Sequence, residues 1–217
     1  VAGRDGPARA GGAGMRAVLR AFRRPVGAVA GGWLLAMVFV AVFAAWLTPY
    51  DYDIQALKEA YQPPSAAHWL GTDDLGSDLL TRLFHGARTS LSVSSIAIGL
   101  SVLCGMTLGA AAAWFGGWFD RMVMVVVDLT WSFPEILIAL ILVAIIGPGT
   151  TGTMVAIGVA YLAQFTRLTR AQIMTLRSET FIEAARSLGA GNTHILFRHL
   201  LPNALAPVLV SAMLATG

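Results

Sequence analysis

Between Val26 and Leu47 the chain runs for twenty-two residues without a charged side chain. As an α-helix this stretch is about 33 Å long, enough to cross a hydrocarbon core of roughly 30 Å. Arg16, Arg20, Arg23 and Arg24 precede it, and Trp33 and Trp46 stand towards its two ends. A cleaved signal peptide also begins with basic residues and an apolar stretch, but its apolar core is shorter than this one. The pattern then recurs. Thr89 to Phe119 is uncharged for thirty-one residues, and after Asp120 and Arg121 a third apolar stretch runs from Met122 to Ile146. Gly147-Pro148-Gly149 forces a turn there. A fourth stretch starts near Thr153 and passes Arg167 and Arg170, whose side chains are expected to reach into lipid headgroups. A fifth begins at about Asn203.

The expected fold is therefore all-α, a polytopic transmembrane helical bundle with five spans visible. Composition agrees: 56% of the 217 residues are hydrophobic and only 12% are charged, against about a quarter charged in a soluble domain. A single cysteine, Cys104, excludes an internal disulfide framework and a cysteine-rich zinc site, and no metal site is expected.

Arginine placement orients the bundle. Six arginines lie before the first span and five lie between 167 and 198, whereas the 49–88 stretch has three cations against six acids. Cations prefer the cytoplasmic side. Residues 1–25 are thus expected as a cytoplasmic tail, 26–47 as the first transmembrane helix, 48–88 as an extracytoplasmic loop, and 89–217 as the remainder of the bundle, with 171–199 inside; the first fourteen residues, rich in Gly and Ala, are expected to be disordered.

Within the outer loop, Ser77 reads as a helix N-cap, Asp78 and Arg82 as an i,i+4 pair, and Gly86 as a C-terminal stop. Leu79, Leu80, Leu83 and Phe84 share one face, so a short amphipathic helix is expected. The clustered aspartates lack the spacing of a known calcium loop and read as a solvated acidic face.

Inside the second span, Gly105, Gly109 and Ala113 recur every four residues, a small-residue stripe that lets another helix approach closely; the competing explanation is chance in an Ala- and Gly-rich segment. The third span holds Asp128 and Glu135 around Phe133-Pro134. Proline breaks the helix there, and ionisable groups in spans face protein or water. Two readings stand: a proton relay of a secondary transporter, or a structural role near the cytoplasmic interface, since Asp128 is less than two turns from Arg121.

The most specific segment runs from Ser178 to Asn192. Thr180 and Glu183 can form a capping box and Gly189 a left-handed stop, predicting a helix over 181–188. Asn192 or Thr193 is expected to cap a second short helix through about His199, ending before Pro202. Phe181, Ile182, Ala185 and Leu188 form an apolar side that the loop cannot bury, suited to a groove on a partner or to the inner leaflet.

Glu183-Ala184-Ala185, three residues, Gly189, and then Leu201-Pro202 twelve and thirteen residues on resemble the EAA signature of binding-protein-dependent ABC importer permeases. Gly71 to Asp78, Gly86-Ala87-Arg88, Asp128, Phe133-Pro134, Gly147-Pro148-Gly149 and Arg198 to Asn203 are similar to the dipeptide, oligopeptide and nickel permeases, and most to their C-type subunit. The resemblance covers about Arg20 to Gly217. Ser77 departs from it, standing where that subgroup commonly has arginine. The family has six spans, which implies that the sixth lies beyond Gly217.

The resemblance implies a permease subunit of an ATP-driven importer for di- or oligopeptides, in the bacterial inner membrane, with nickel or another small solute as the alternative cargo and a proton-coupled transporter as the rival mechanism. Implied partners are a second permease subunit, cytoplasmic ATPases, an extracytoplasmic solute-binding protein and membrane lipid, with no nucleic acid. The chain has no phosphate-binding Gly-x-x-x-x-Gly-Lys-Ser/Thr loop. No catalytic residue or directly bound cofactor is expected, ATP and Mg belonging to the ATPases. Thr180, Glu183, Ala184, Ala185, Gly189, Leu201 and Pro202 are implied to couple to those ATPases through a loop of about 177–200. Asp128, Pro134 and Glu135 are candidates for a pathway or structural role, and Gly105 and Gly109 for helix packing.

Overall fold

Helix is the only extended regular structure among the described residues, as lipid demands of a backbone that must satisfy its own hydrogen bonds. The computed structural model describes residues 25–216; the expected N-terminal tail lies outside them. The order is α1 (Pro25–Leu47), α2 (Leu79–Phe115), α3 (Gly117–Trp131), α4 (Glu135–Ile146), α5 (Thr150–Arg177), α6 (Thr180–Ser187), α7 (Asn192–Ile195), a π-helical stretch Leu196–Leu200, and α8 (Leu201–Thr216). The chain forms two compact units, one through Leu91 and one from Ser92.

In the first unit α1 exposes Trp33, Leu34, Leu35, Phe39, Val42 and Trp46 around its circumference, the mark of a helix that faces lipid. Residues 48–78 then fold tightly. Gly76 has φ +75°, and a Cβ there would stand 1.8 Å from the Ala56 carbonyl oxygen. At Gly71, with φ +79°, a Cβ would stand 2.4 Å from the Gln62 carbonyl oxygen. The acidic stretch departs from the expected solvated face. Asp78 is only 7% exposed; its carboxylate accepts from the Thr81 amide and hydroxyl at 2.8 and 2.7 Å and meets His68 Nδ1 at 3.0 Å. Asp78, not Ser77, thus caps α2, and Arg82 pairs with Asp73 instead. His68 and Thr81 hold Asp78 on the inner side of the loop, leaving Arg82 to the next acid.

Gly86 does not end a short helix. α2 continues through it for 37 residues, because a single helical glycine costs only about 1 kcal/mol and no proline follows to stop propagation. The loop expected over 48–88 therefore ends ten residues earlier, at Asp78.

In the second unit, Gly116 and Gly117 take positive φ and separate α2 from α3. Asp120 and Arg121, read as a break, lie inside α3. α3 and α4 meet at 93°, where Pro134 has left helical backbone. α5 is central and packs against α3, α4 and α8. Its buried residues are mostly small: Gly152, Ala156, Gly158, Ala160 and Ala163 among them. Two apolar clusters anchor it, one around Ile173, Ile182, Ile195 and Leu200, the other around Ile98, Phe165 and Val208.

The helix expected to stop before Pro202 does not stop. Leu201 N–H bonds to the Leu196 carbonyl, five residues back, and Pro202, which has no N–H to give, enters α8 just after this wider turn. The helical run 192–216 is thus one candidate span. With α1 and α2 this makes three helices long and apolar enough to cross a membrane, or four if α3 and α4 form one broken span. α5 has the length, but its arginines and threonines leave it less apolar, so the expected five is not shown.

Candidate functional site

The short helices after α5 form a compact projection whose geometry begins with a local backbone motif. α6 ends at Ser187, and Gly189 takes φ +83°. The Ala190 amide donates to the Ala185 carbonyl at 3.0 Å and the Gly189 amide to Arg186 at 2.9 Å. This is a Schellman closure, in which two otherwise orphaned carbonyls are satisfied at the cost of a left-handed residue. The expected caps are absent. Glu179 is the N-cap of α6 and Gly191 that of α7, neither with a side-chain cap bond. Thr180 lies one residue too far into the helix to turn its hydroxyl back, so the Thr180–Glu183 capping box does not form.

The apolar side of α6 is divided. Ile182 is fully buried with Ile173 of α5 and with Ile195 and Leu200 of the loop itself, which corrects the expectation that the loop cannot bury this side. Leu188 is 89% exposed and Phe181 also reaches solvent. Thr180, Glu183 and Ala184 are exposed, Ala185 and Leu201 are partly covered, and Pro202 is exposed at the start of α8. Glu183 has no side-chain partner among the described residues. Around the bend, His199 stands 6.4 Å from the Phe181 ring and 5.7 Å from His194.

Below the projection the helices are tied by polar contacts that sequence reasoning missed. Arg177 donates to the Ala113 carbonyl near the end of α2 at 2.6 Å. Arg170 grips Asp120 through two nitrogens, and Arg167 pairs with Asp128 while lying 4.3 Å over the Trp131 ring. These arginines answer carboxylates on α3 rather than reaching for headgroups. Tyr161 donates to Glu135 at 3.3 Å. The three contacts run in reverse order along α3–α4 and α5, as antiparallel neighbours require; alternating acids against arginines was the only signal in the sequence.

Gly105 and Gly109 face α5. A Cβ on Gly105 would meet Phe165 Cβ at 2.6 Å, and one on Gly109 would meet the Thr166 carbonyl oxygen at 2.4 Å. The backbones of α2 and α5 approach that closely only because both positions lack a side chain. Pro134 is the N-cap of α4 at the 93° break. No cluster able to hold a metal ion occurs among the described residues.

The sequence model of the family described as binding-protein-dependent transport system inner membrane component matches residues 105–217, the segment that holds the projection, the glycine contacts and the ion pairs. The chain belongs to that family. A second model, the N-terminal transmembrane domain of oligopeptide transport permease C, matches residues 15–64 of this permease. The dipeptide transport system permease protein DppC of Alkalihalophilus pseudofirmus is 40% identical over 184 residues, covering 85% of this chain and 60% of that protein. The glutathione transport system permease protein GsiD of Pectobacterium atrosepticum is 38% identical over 202 residues, covering 91% and 66%. GsiD of Salmonella typhimurium is 40% identical over 203 residues with the same coverage. The permease is thus of the C type of the peptide and nickel group, and it spans about 60 to 66% of the length of these curated relatives. It is a multi-pass membrane protein of an inner-membrane transport system.

Proposed function

We propose that this chain is the C-type permease subunit of an ATP-driven, binding-protein-dependent importer of di- or oligopeptides. The observation that carries the reading is the α6–Gly189–α7 projection, exposed at Phe181, Ala184 and Leu188 and anchored in the core at Ile182. Exposed apolar groups on a rigid short helix suit a groove on a partner. Ile182 sits among residues of α2, α5 and α8, so a push on α6 reaches the helices of the bundle. The partners in this reading are cytoplasmic ATPases holding ATP and Mg, a second permease subunit, and an extracytoplasmic binding protein that delivers the peptide. ATP drives the cycle through its tighter binding to the closed ATPases, which biases the bundle between two accessible states.

In this reading residues 1–25 and the coupling loop of about 177–200 face the cytoplasm, and the folded loop after α1 faces outward. Thr180, Glu183, Ala184, Ala185, Gly189, Leu201 and Pro202 form or support the ATPase contact. Gly105 and Gly109 serve packing, and Asp128 serves structure through Arg167. That engagement of Asp128 weighs against a proton relay. The names of the relatives, dipeptide and glutathione, favour peptide over nickel as cargo.

The test is copurification of the ATPases with the assembled transporter, together with peptide uptake, for Glu183→Ala. Since Glu183 caps nothing, its loss leaves α6 intact, and reduced ATPase docking with unchanged membrane abundance supports the reading. Normal docking and uptake in that variant remove Glu183 from the contact; uptake that persists without ATPase subunits overturns the importer reading itself.

A further inference from the structure

Three carboxylates lie along α3 and α4, and α5 answers only two of them with arginine. Asp120 takes Arg170 and Asp128 takes Arg167. Glu135 forms no ion pair among the described residues, and its one hydrogen bond comes from the Tyr161 hydroxyl to Oε1. Its second oxygen is uncommitted. Glu135 is exposed in the first turn of α4, and because an ionisable group in a membrane helix is expensive unless it is paired or faces water, its free oxygen is open to water or to a cation.

That place is shaped. Glu135 borders a cavity of about 230 Å³ at the break between α3 and α4, lined also by Thr130, Trp131, Phe133 and Gln164. Gln164 is half-buried, and its carboxamide has no hydrogen-bond partner among the described residues. Two other grooves of this unit are lined almost wholly by aliphatic and aromatic side chains. Here one carboxylate, one carboxamide and two aromatic rings converge where the helix is interrupted, and interrupted helices lining a cavity are where membrane transporters place polar ligands. Arg167 does not cancel the charge of Glu135, since Asp128 already neutralises it.

We propose that this notch is a transient site for the α-ammonium end of a translocating peptide. Glu135 is the counter-ion, Gln164 bonds the adjoining peptide group, and Trp131 and Phe133 receive the first side chain. The volume fits one terminal residue rather than a whole oligopeptide. The inference rests on the peptide-importer reading and adds the chemical group that the pathway recognises. A metal cation is a poor occupant, because a single carboxylate beside an amide is too small a donor set.

The test uses the complete transporter with its binding protein in membrane vesicles, comparing uptake of dialanine and N-acetyl-dialanine by the parent and by Glu135→Gln. The binding protein's own preference is the same in both and cancels in the double ratio. Loss of one charge-assisted contact should lower dialanine uptake about tenfold and N-acetyl-dialanine uptake by less than twofold. Glu135→Asp should recover most of the loss. Equal loss for both peptides, or no loss for either, overturns the proposal. Copurification of the second permease subunit is measured in parallel; its loss in Glu135→Gln would assign Glu135 to subunit contact and overturn the site. If the parent imports neither peptide, the importer reading fails first.

Discussion

Arg177 donates a 2.6 Å hydrogen bond to the carbonyl of Ala113. The bond joins the last residue of α5, just before the α6–α7 projection, to the final turn of α2, where helical carbonyls have no intrahelical donor. A guanidinium there satisfies an orphan acceptor and favours the negative end of the helix. The projection is therefore fixed to the bundle at its base as well as through Ile182.

Removing that base should loosen the projection without unfolding the bundle. Arg177→Ala is expected to cost about 1 kcal/mol locally. Amide exchange over 178–190 should then quicken roughly fivefold, with membrane abundance retained. Exchange identical to the parent would show that the bond carries nothing.

Gly189 has φ +83°, yet nothing lies within 4 Å of a Cβ built on it. Backbone handedness, not crowding, is the constraint. Gly189→Asn should be tolerated, because asparagine visits this region readily, while Gly189→Val should cost at least about 1–2 kcal/mol and distort the bend. In the importer reading the valine variant inserts normally but fails to dock its ATPases. Normal docking and uptake by Gly189→Val would disprove the coupling assignment.

The glycines of α2 should divide by position. Gly109→Ala places a Cβ 2.4 Å from the Thr166 carbonyl oxygen, against backbone that cannot yield cheaply, whereas Gly99 has open space around it. Gly109→Ala is expected to destabilise by about 1–3 kcal/mol, and Gly99→Ala to be neutral or slightly stabilising. Thermal unfolding in detergent separates them; equal midpoints would mean that α2 and α5 are not in close contact.

The loop after α1 should be sensitive to acid. Burial pushes the Asp78 carboxyl up, but the Thr81 amide and hydroxyl and His68 outweigh it and hold it below the usual range. At Asp73, too, burial pushes up and is outweighed, here by the Ser77 amide, Arg82 and the Leu75 amide. Carboxyls depressed in the folded state contribute stability that is complete above their unfolded value, about pH 4, and that is lost as pH falls through the folded value. Protection factors of the Ala56 and Thr72 amides should be constant from pH 7 to about 5 and fall below about 4. The fall should be smaller in Asp78→Asn, whose resting protection is already reduced. Protection that survives at pH 2 would contradict the assignment.

Orientation is open to a direct chemical check. With Cys104 replaced, Ser187→Cys on exposed α6 should resist an impermeant thiol reagent in sealed cells and react once the membrane is opened. Reaction in sealed cells would invert the topology.

What could be read from the sequence alone was what depends on neighbours along the chain. An uncharged run of twenty-two residues has no better solvent than lipid, whatever it packs against. Gly189 announced a left-handed turn because that preference belongs to the residue itself. The run from Thr180 to Gly189 was legible as a short helix ended by a bend, because that bend closes on the helix's own carbonyls. The rest was decided by contacts between distant segments. Thr180 and Glu183 have the residues of a capping box, but Glu179 occupies the cap position and the box stays open. Ser77 and Asp78 both can cap α2, and His68, ten residues away, helps hold Asp78 in that place. Arg167 and Arg170 meet Asp128 and Asp120 across 39 and 50 residues; that pairing follows from the register in which α5 lies on α3. No local preference sets that register. The seat of α5 on α2 is likewise decided by side chains absent at Gly105 and Gly109 and by Phe165 and Ile173 filling the core, because close packing in lipid is a property of two surfaces together.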